Sequence, residues 1–252
     1  MRRQLYVLTG ASRGMGAAMA AQLLHPAHTL LCVSRQRSEA LAARATALGA
    51  ACEQWTLDLA EPLEASGRLR RWIESHDAGA FDSATLINNA AALTRIGRVD
   101  ACDPAALSAA LRVSLEAPLL LCAAFLRATR NWAGPRRVLN ISSGLGRRAM
   151  AGQAPYCAAK AGLDHLSRAM ALDEAERPNG ARIVALAPGV IDTDMQVQLR
   201  AGDAAGFPEK ATFVALKTDG QLASPEAAAA RVLAWLARPD FGANPVADVR
   251  DA

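Results

Sequence analysis

The sequence predicts an α/β protein: a doubly wound parallel sheet flanked by helices on both faces. Three observations lead there. Short apolar runs alternate with helix-patterned segments along all 252 residues, and such alternation builds βα units and a parallel sheet. The first apolar run leads directly into a glycine-rich turn and then a helix pattern, the context of a phosphate-binding turn. No repeat, low-complexity tract or linker divides the chain, so residues 1–252 are expected to form a single domain.

The elements follow in order. Leu5–Thr9 reads as a strand and Ala17–Leu24 as a helix. Thr29–Ser34 is a second strand, and Ser38–Leu48 a helix ended by Gly49, since serine caps helix starts and glycine their ends. Cys52–Leu57 is a strand, Leu63–Ile73 a helix and Thr85–Asn88 a strand. Leu107–Arg130 reads as one long helix bent at Pro118, because proline breaks the backbone ladder. Arg137–Ser142 is a strand, Pro155–Glu174 a helix and Arg182–Ala187 a strand. Helices around Pro208–Leu216 and Pro225–Ala237 precede a last apolar piece, Pro245–Val249. In such a sheet a ligand sits beyond the carboxyl ends of the strands. Polar residues that end strands therefore become the candidates.

Composition narrows the function. The net charge is +4, with 28 Lys+Arg against 24 Asp+Glu. All but three of the basic residues are arginine, the lysines being Lys160, Lys210 and Lys217. The arginines are scattered, whereas nucleic-acid binding needs a clustered basic stripe; no nucleic-acid partner is expected. No uninterrupted apolar run reaches the ~18 residues of a membrane span, and the start of the chain shows no signal-peptide pattern. Five cysteines without a CxxC pair read as free thiols of a reducing, cytoplasmic protein. The four histidines have no metal-ligand spacing, so no metal site is expected.

Two constellations carry chemistry. The first strand ends in Thr9-Gly10-Ala11-Ser12-Arg13-Gly14-Met15-Gly16. Glycines at this spacing let the backbone approach a pyrophosphate at a helix N-terminus. The second strand ends in Ser34-Arg35, where an NAD site usually carries an acid for the ribose. With no acid there, Arg13 and Arg35 are expected to hold a 2′-phosphate, because guanidinium suits bidentate phosphate contact. The cofactor expected is NADP(H). Downstream, Tyr156 and Lys160 lie four apart on one helix face. A phenol titrates near 10, and a nearby ammonium lowers that value. Ser143 ends a strand 13 residues earlier and could hold a substrate carbonyl beside the phenol.

These motifs together resemble the short-chain dehydrogenases/reductases. The resemblance rests on Thr9-Gly10-xxx-Gly14-x-Gly16, Asn88-Asn89-Ala90, Asn140-Ile141-Ser142-Ser143, Tyr156-xxx-Lys160 and Pro188-Gly189-xxx-Thr193, in that order across the chain. It implies a one-domain Rossmann fold and NAD(P)-dependent chemistry between carbonyl and alcohol. It implies that Tyr156 is the acid/base, that Ser143 orients the carbonyl and that Lys160 binds the nicotinamide ribose. It further implies that Asp58 and Leu59 contact adenine, that Asn89 and Ala90 lie along the cofactor, and that Pro188, Ile191 and Thr193 bracket the nicotinamide. Two departures stand out. Ala91 replaces the glycine of the family's Asn-Asn-Ala-Gly, which a negative φ would permit. Ser114, in Val113-Ser114-Leu115, replaces an asparagine that bonds a water in the family's proton relay.

The stretch Ala187–Gln196, the pieces Leu216-Lys217-xxx-Gly220-Gln221-Leu222-xx-Pro225-Glu226 and the ending Asp248–Asp251 are similar to the sepiapterin-reductase and benzil-reductase branch. That branch implies NADPH-dependent reduction of a vicinal dicarbonyl or a pterin side-chain ketone. The segment 192–220 is expected to close over substrate as a lid. The apolar faces of Leu107–Arg130 and Pro155–Glu174, with Leu119-Leu120-Leu121, predict a homodimer or homotetramer. The competing reading is a catalytically weak NADP-binding regulatory or redox-sensing protein.

Overall fold

In the computed structural model, which describes residues 3–251, the seven strands form one sheet in the order β3-β2-β1-β4-β5-β6-β7. They are β1 (Gln4–Thr9), β2 (His28–Ser34), β3 (Ala51–Thr56), β4 (Ser83–Asn88), β5 (Arg136–Ile141), β6 (Arg182–Ala187) and β7 (Val246–Asp248). Every neighbouring pair is parallel. Strand order reverses between β1 and β4, which opens a crevice at their carboxyl ends. The doubly wound expectation holds.

Alternation along each strand serves both faces. On β1, Tyr6 and Leu8 join one core and Leu5 and Val7 the other, the two-residue period of a sheet. The first core is covered by α1 (Gly14–Leu23), α2 (Glu39–Leu48) and α9 (Pro225–Leu236). The second lies under α3 (Pro62–Glu74), α5 (Ala117–Ala128) and the outer part of α6 (Ala154–Ala175). The expected punctuation is in place: the Ser38 hydroxyl accepts from the Leu41 N–H, and Gly49 ends α2 at φ +62°.

Two expectations change. The long helix begins at Pro104 rather than Leu107, and its interruption comes before Pro118. It comprises α4 (Pro104–Leu111), a π turn (Arg112–Glu116) and α5. Pro118 has no N–H to reach the carbonyl of Ser114, so the ordinary ladder fails there; the Ala117 N–H bonds instead to Arg112 five residues back. By length and mean hydropathy, Pro104–Ala128 would suffice to cross a membrane. No uninterrupted run had shown this, because Arg112 and Glu116 break it. Here the helix lies on the second core, with Leu121, Cys122 and Phe125 buried.

The segment 192–220 carries one helix more than the sequence suggests. It holds α7 (Asp194–Ala201), which the sequence did not reveal, and α8 (Lys210–Thr218). Its two ends are stapled together: Ala223 N–H bonds to the Val190 carbonyl and Asp192 N–H to the Ala223 carbonyl. Lys217 reaches back to Asp192 at 2.5 Å. Inside, Leu199, Phe207 and Phe213 pack with Ile96 and Met150 into a third core of their own. All five cysteines are free, with Cys32, Cys102 and Cys122 buried.

Candidate active site

The glycine turn is built for close approach. Gly10 sits at φ +69°, and a Cβ there would meet the Ala90 backbone at 2.9 Å. A Cβ on Gly16 would meet the Gly10 carbonyl oxygen at 2.0 Å. Only glycine allows α1 to start this close under the turn. Asn89 then braces the loop: its side-chain amide donates to the carbonyls of Thr9 and Gly10, both at 3.1 Å. The buried Thr9 hydroxyl accepts from the N–H groups of Asn89 and Ala90 at 3.0 Å. Sequence reasoning noted Thr9 only as part of a motif; its bracing partners lie 80 residues away.

The other cofactor candidates fall around this turn. Thr193, the N-cap of α7, stands beside Gly14: a Cβ on that glycine would touch its methyl at 3.3 Å. Pro188 is buried, and Ile191 forms a bridge with Ala223. Ser34 bonds the Gln36 carbonyl, and Arg35 beyond it is exposed. Arg13 is exposed too, but its guanidinium is paired with Asp194 on α7 at 2.9 Å. Asp58 is exposed and accepts from the Ala60 N–H. Two residues face inward instead. Met15 and Leu59 are both 6% exposed and belong to the cores, so any cofactor contact from them comes through the backbone. Ser12 and Ala90 are half-buried at the rim. The turn, the helix N-terminus and two exposed arginines suit a nucleotide with a pyrophosphate and an anionic ribose.

The chemical residues converge at the end of β5. Tyr156 lies beside Ser143, near enough for the serine hydroxyl to act on its phenol. Desolvation, the largest cause, pushes the phenol up to about 12; the Ser143 hydroxyl opposes this and Cys157 adds to it. Lys160 is 3% exposed and donates to the Ile141 carbonyl at 2.6 Å. Its nitrogen stands 5.6 Å from the Tyr156 ring centre. Burial lowers Lys160 to about 8, against the pull of Asp164. The ammonium expected to lower the phenol is thus near, yet the phenol is raised, by burial first.

Both departures from the family pattern have a local explanation. Among the described residues no non-glycine has a positive φ, so Ala91 fits ordinary backbone. The Ser114 side chain accepts from the Ala92 N–H at 3.0 Å and donates to the Ala92 carbonyl at 3.4 Å. The hydroxyl ties the loop after β4 to the π turn. Beneath it Asn88 donates to Asn140 at 2.8 Å and Asn140 to Ser167 at 2.9 Å. This buried chain fixes β4, β5 and α6 to one another. Leu145 and Cys157, close along the chain to Ser143 and Tyr156, pack with Leu93 and Met195 against the third core. A cavity of about 570 Å³ lies at the other end of the sheet, around Gln4, Ser83 and Leu233, and holds none of these residues.

Comparison with known proteins agrees with this arrangement. The family model for short chain dehydrogenase matches residues 4–204. The chain belongs to that family. A benzil reductase ((S)-benzoin forming) of Bacillus cereus is 33% identical over 235 residues, covering 93% of this chain and 94% of the relative. A sepiapterin reductase of Bos taurus is 30% identical, covering 99% and 95%. The crystal structure of a short-chain dehydrogenase/reductase from Burkholderia vietnamiensis is 33% identical, with a TM-score of 0.65 over 99% of this chain and 98% of that one. The protein is therefore a short-chain oxidoreductase, of a family that binds nicotinamide cofactors and interconverts carbonyl and alcohol groups.

Proposed function

We propose that this oxidoreductase is an NADPH-dependent reductase of ketones, taking an apolar vicinal diketone or a pterin-like side-chain ketone, with Tyr156 as the general acid. The observation that carries this is the convergence of Ser143, Tyr156 and Lys160 at the end of β5 under an apolar lid. Gly10, Gly14 and Gly16 would receive the pyrophosphate, Asn89 and Thr193 would line the path to the nicotinamide, and Arg13 and Arg35 would hold the 2′-phosphate. When bound, the reduced nicotinamide supplies a hydride to the carbonyl carbon. Ser143 donates a hydrogen bond to the carbonyl oxygen and fixes its direction. Tyr156 gives its proton to that oxygen as negative charge grows there. Lys160, held by Ile141, stabilises the phenolate that remains. The lid core excludes water, which strengthens each of these contacts.

The related benzil and sepiapterin reductases both carry names of carbonyl reductions, and the apolar third core favours an aryl or alkyl diketone. A reducing cytoplasm fits five free cysteines. A homo-oligomer fits the apolar outer faces of α5 and α6.

The test is NADPH oxidation in the presence of benzil, other diketones and pterin ketones, with product chirality determined. Turnover is expected with NADPH, and Tyr156→Phe should lower kcat about 10²–10⁴-fold while NADPH binding stays nearly unchanged. A Tyr156→Phe enzyme retaining more than about a tenth of the activity would remove the phenol from the role. NADPH binding without turnover on any of these substrates would favour a regulatory protein instead.

A further inference from the structure

We propose that Asp164 is a positioning residue for this site: its carboxylate, one helical turn beyond Lys160, keeps the lysine charged and locks the catalytic end of β5 onto α6. The proposal rests on the reductase reading for its catalytic consequence; the charge pair rests on two buried groups placed four residues apart on α6.

Tyr156, Lys160 and Asp164 follow at four-residue steps on α6, so they share one face. Each engages one of three consecutive residues at the end of β5. Lys160 donates to the Ile141 carbonyl. Asp164 accepts from the Ser142 hydroxyl. Tyr156 lies beside Ser143, whose hydroxyl acts on its phenol. The middle contact thus sits between the two that matter for proton transfer, and a shift of Ser142 would move both neighbours.

Asp164 is also sealed in. It is 1% exposed, and its Oδ2 has no hydrogen-bond partner among the described residues. The loop after β5 closes over it at Gly146, where a Cβ would lie 2.7 Å from that Oδ2 and 2.9 Å from the Lys160 carbonyl. A buried carboxylate oxygen without a bond is costly unless charge compensates it. The compensating groups are Arg147 from that loop, whose Nε is 3.6 Å away, Arg168 on the next turn of α6, and Lys160 itself. Arg147 is shared, since it also reaches the carbonyls of Ser143 and Ala247 and faces Asp248. Lys160 has no such choice: Asp164 is the one ionised group whose charge acts on it noticeably.

The consequence follows from the sign. Burial removes Lys160's proton more easily than in water, bringing it to about 8. The negative charge of Asp164 opposes that loss. Without it the lysine would titrate lower and carry less of its charge at neutral pH. A neutral amine cannot stabilise the Tyr156 phenolate. Burial holds the Asp164 carboxyl above its usual range, against the Ser142 bond and then the three cations, which oppose that rise.

Asp164→Asn keeps the shape and removes the charge. With only three lysines in the chain, ¹⁵N-lysine NMR can follow Lys160 directly, after assignment with Lys210→Arg and Lys217→Arg. The Lys160 titration is expected to fall by about one pH unit or more. The alkaline limb of kcat for ketone reduction should move to lower pH by the same amount, with near wild-type kcat where Lys160 is charged in both proteins, and Asp164→Glu should restore the limb. An unmoved Lys160 titration, or a loss of kcat equal at every pH, would overturn the proposal. The NMR titration needs no substrate, so absence of carbonyl reduction overturns the reductase reading and leaves the charge pair to be judged by NMR. If Asp164→Asn does not fold, the ¹³Cγ signal of Asp164 in the unaltered protein decides: an ionised carboxyl at neutral pH supports the pair, and a protonated one overturns it.

Discussion

Arg13 and Arg35 stand at the two places where a 2′-phosphate would meet this chain, and only Arg13 already has an anion. Its pair with Asp194 is about two-thirds exposed on both sides, so it is worth at most about 1 kcal/mol and gives way to a doubly charged phosphate. NADPH should therefore bind at least about tenfold more tightly than NADH, which corresponds to about 1.4 kcal/mol. Arg35→Asp should erase most of that preference, because it puts a carboxylate in place of the guanidinium next to the end of β2. Calorimetric titration of both cofactors checks this; equal affinities in the unaltered protein would refute the phosphate assignment. At this scale the sequence was legible where a residue is rare and its spacing meaningful. Tyr156 and Lys160 stood out because tyrosines and lysines are few and the pair is four apart. Ser114 stood out only as a departure from the family pattern, Thr9 only as part of a motif, and Asp164 not at all. Their roles depend on backbone groups or charges brought close by the tertiary fold, such as Ala92, 22 residues from Ser114.

Elements were legible when their pattern was periodic and their ends punctuated. Six strands came out within about two residues, because β-branched and apolar runs between turn residues have few alternatives; the seventh lies within the last apolar piece, Pro245–Val249. The α7 helix was hidden: Asp194–Ala201 has only Gln196 and Leu199 buried, too few for an apolar stripe. The π turn was hidden as well, since proline shows where a ladder fails but not how the backbone repairs it. α6 depends on a contact at its far end that no motif announced. Glu174 is buried, pairs with Arg136 at 3.2 Å and accepts from the Ala181 N–H at 2.8 Å. Arg136 also donates to the Asn179 carbonyl. Removing one partner of a buried pair leaves the other uncompensated. Glu174→Ala should therefore lower stability by about 3–5 kcal/mol, read from urea unfolding. The catalytic end of α6 lies five turns away, so kcat per folded molecule should stay close to the unaltered value. A stability loss under about 1 kcal/mol would mean the pair is solvated in solution.

At the scale of the whole molecule, the helix Pro104–Ala128 is more apolar than one chain can hide. Only 44% of its most apolar 18-residue window is buried. Leu111 and Leu119 on this helix are 38% and 43% exposed, and Leu172 on the neighbouring α6 is 72% exposed. Scattered single leucines on a surface need no explanation. Here several fall on adjacent helices whose inner faces already carry the core and the catalytic residues. Covering that surface with a second copy would bury the leucines, and a symmetric pairing of the same two helices uses the same patch on both partners. It would also stiffen α6, which carries Tyr156, Lys160 and Asp164. A dimer or tetramer is therefore expected at micromolar concentration, by light scattering coupled to size exclusion. Changing Leu119→Lys together with Leu172→Lys should shift the mass to that of the monomer, because two buried ammonium groups facing their own copies cannot be compensated. Turnover should fall with assembly if the paired helices hold the site in shape. A monomer mass for the unaltered protein at every concentration would overturn the assembly, and the exposed leucines would then need another cover.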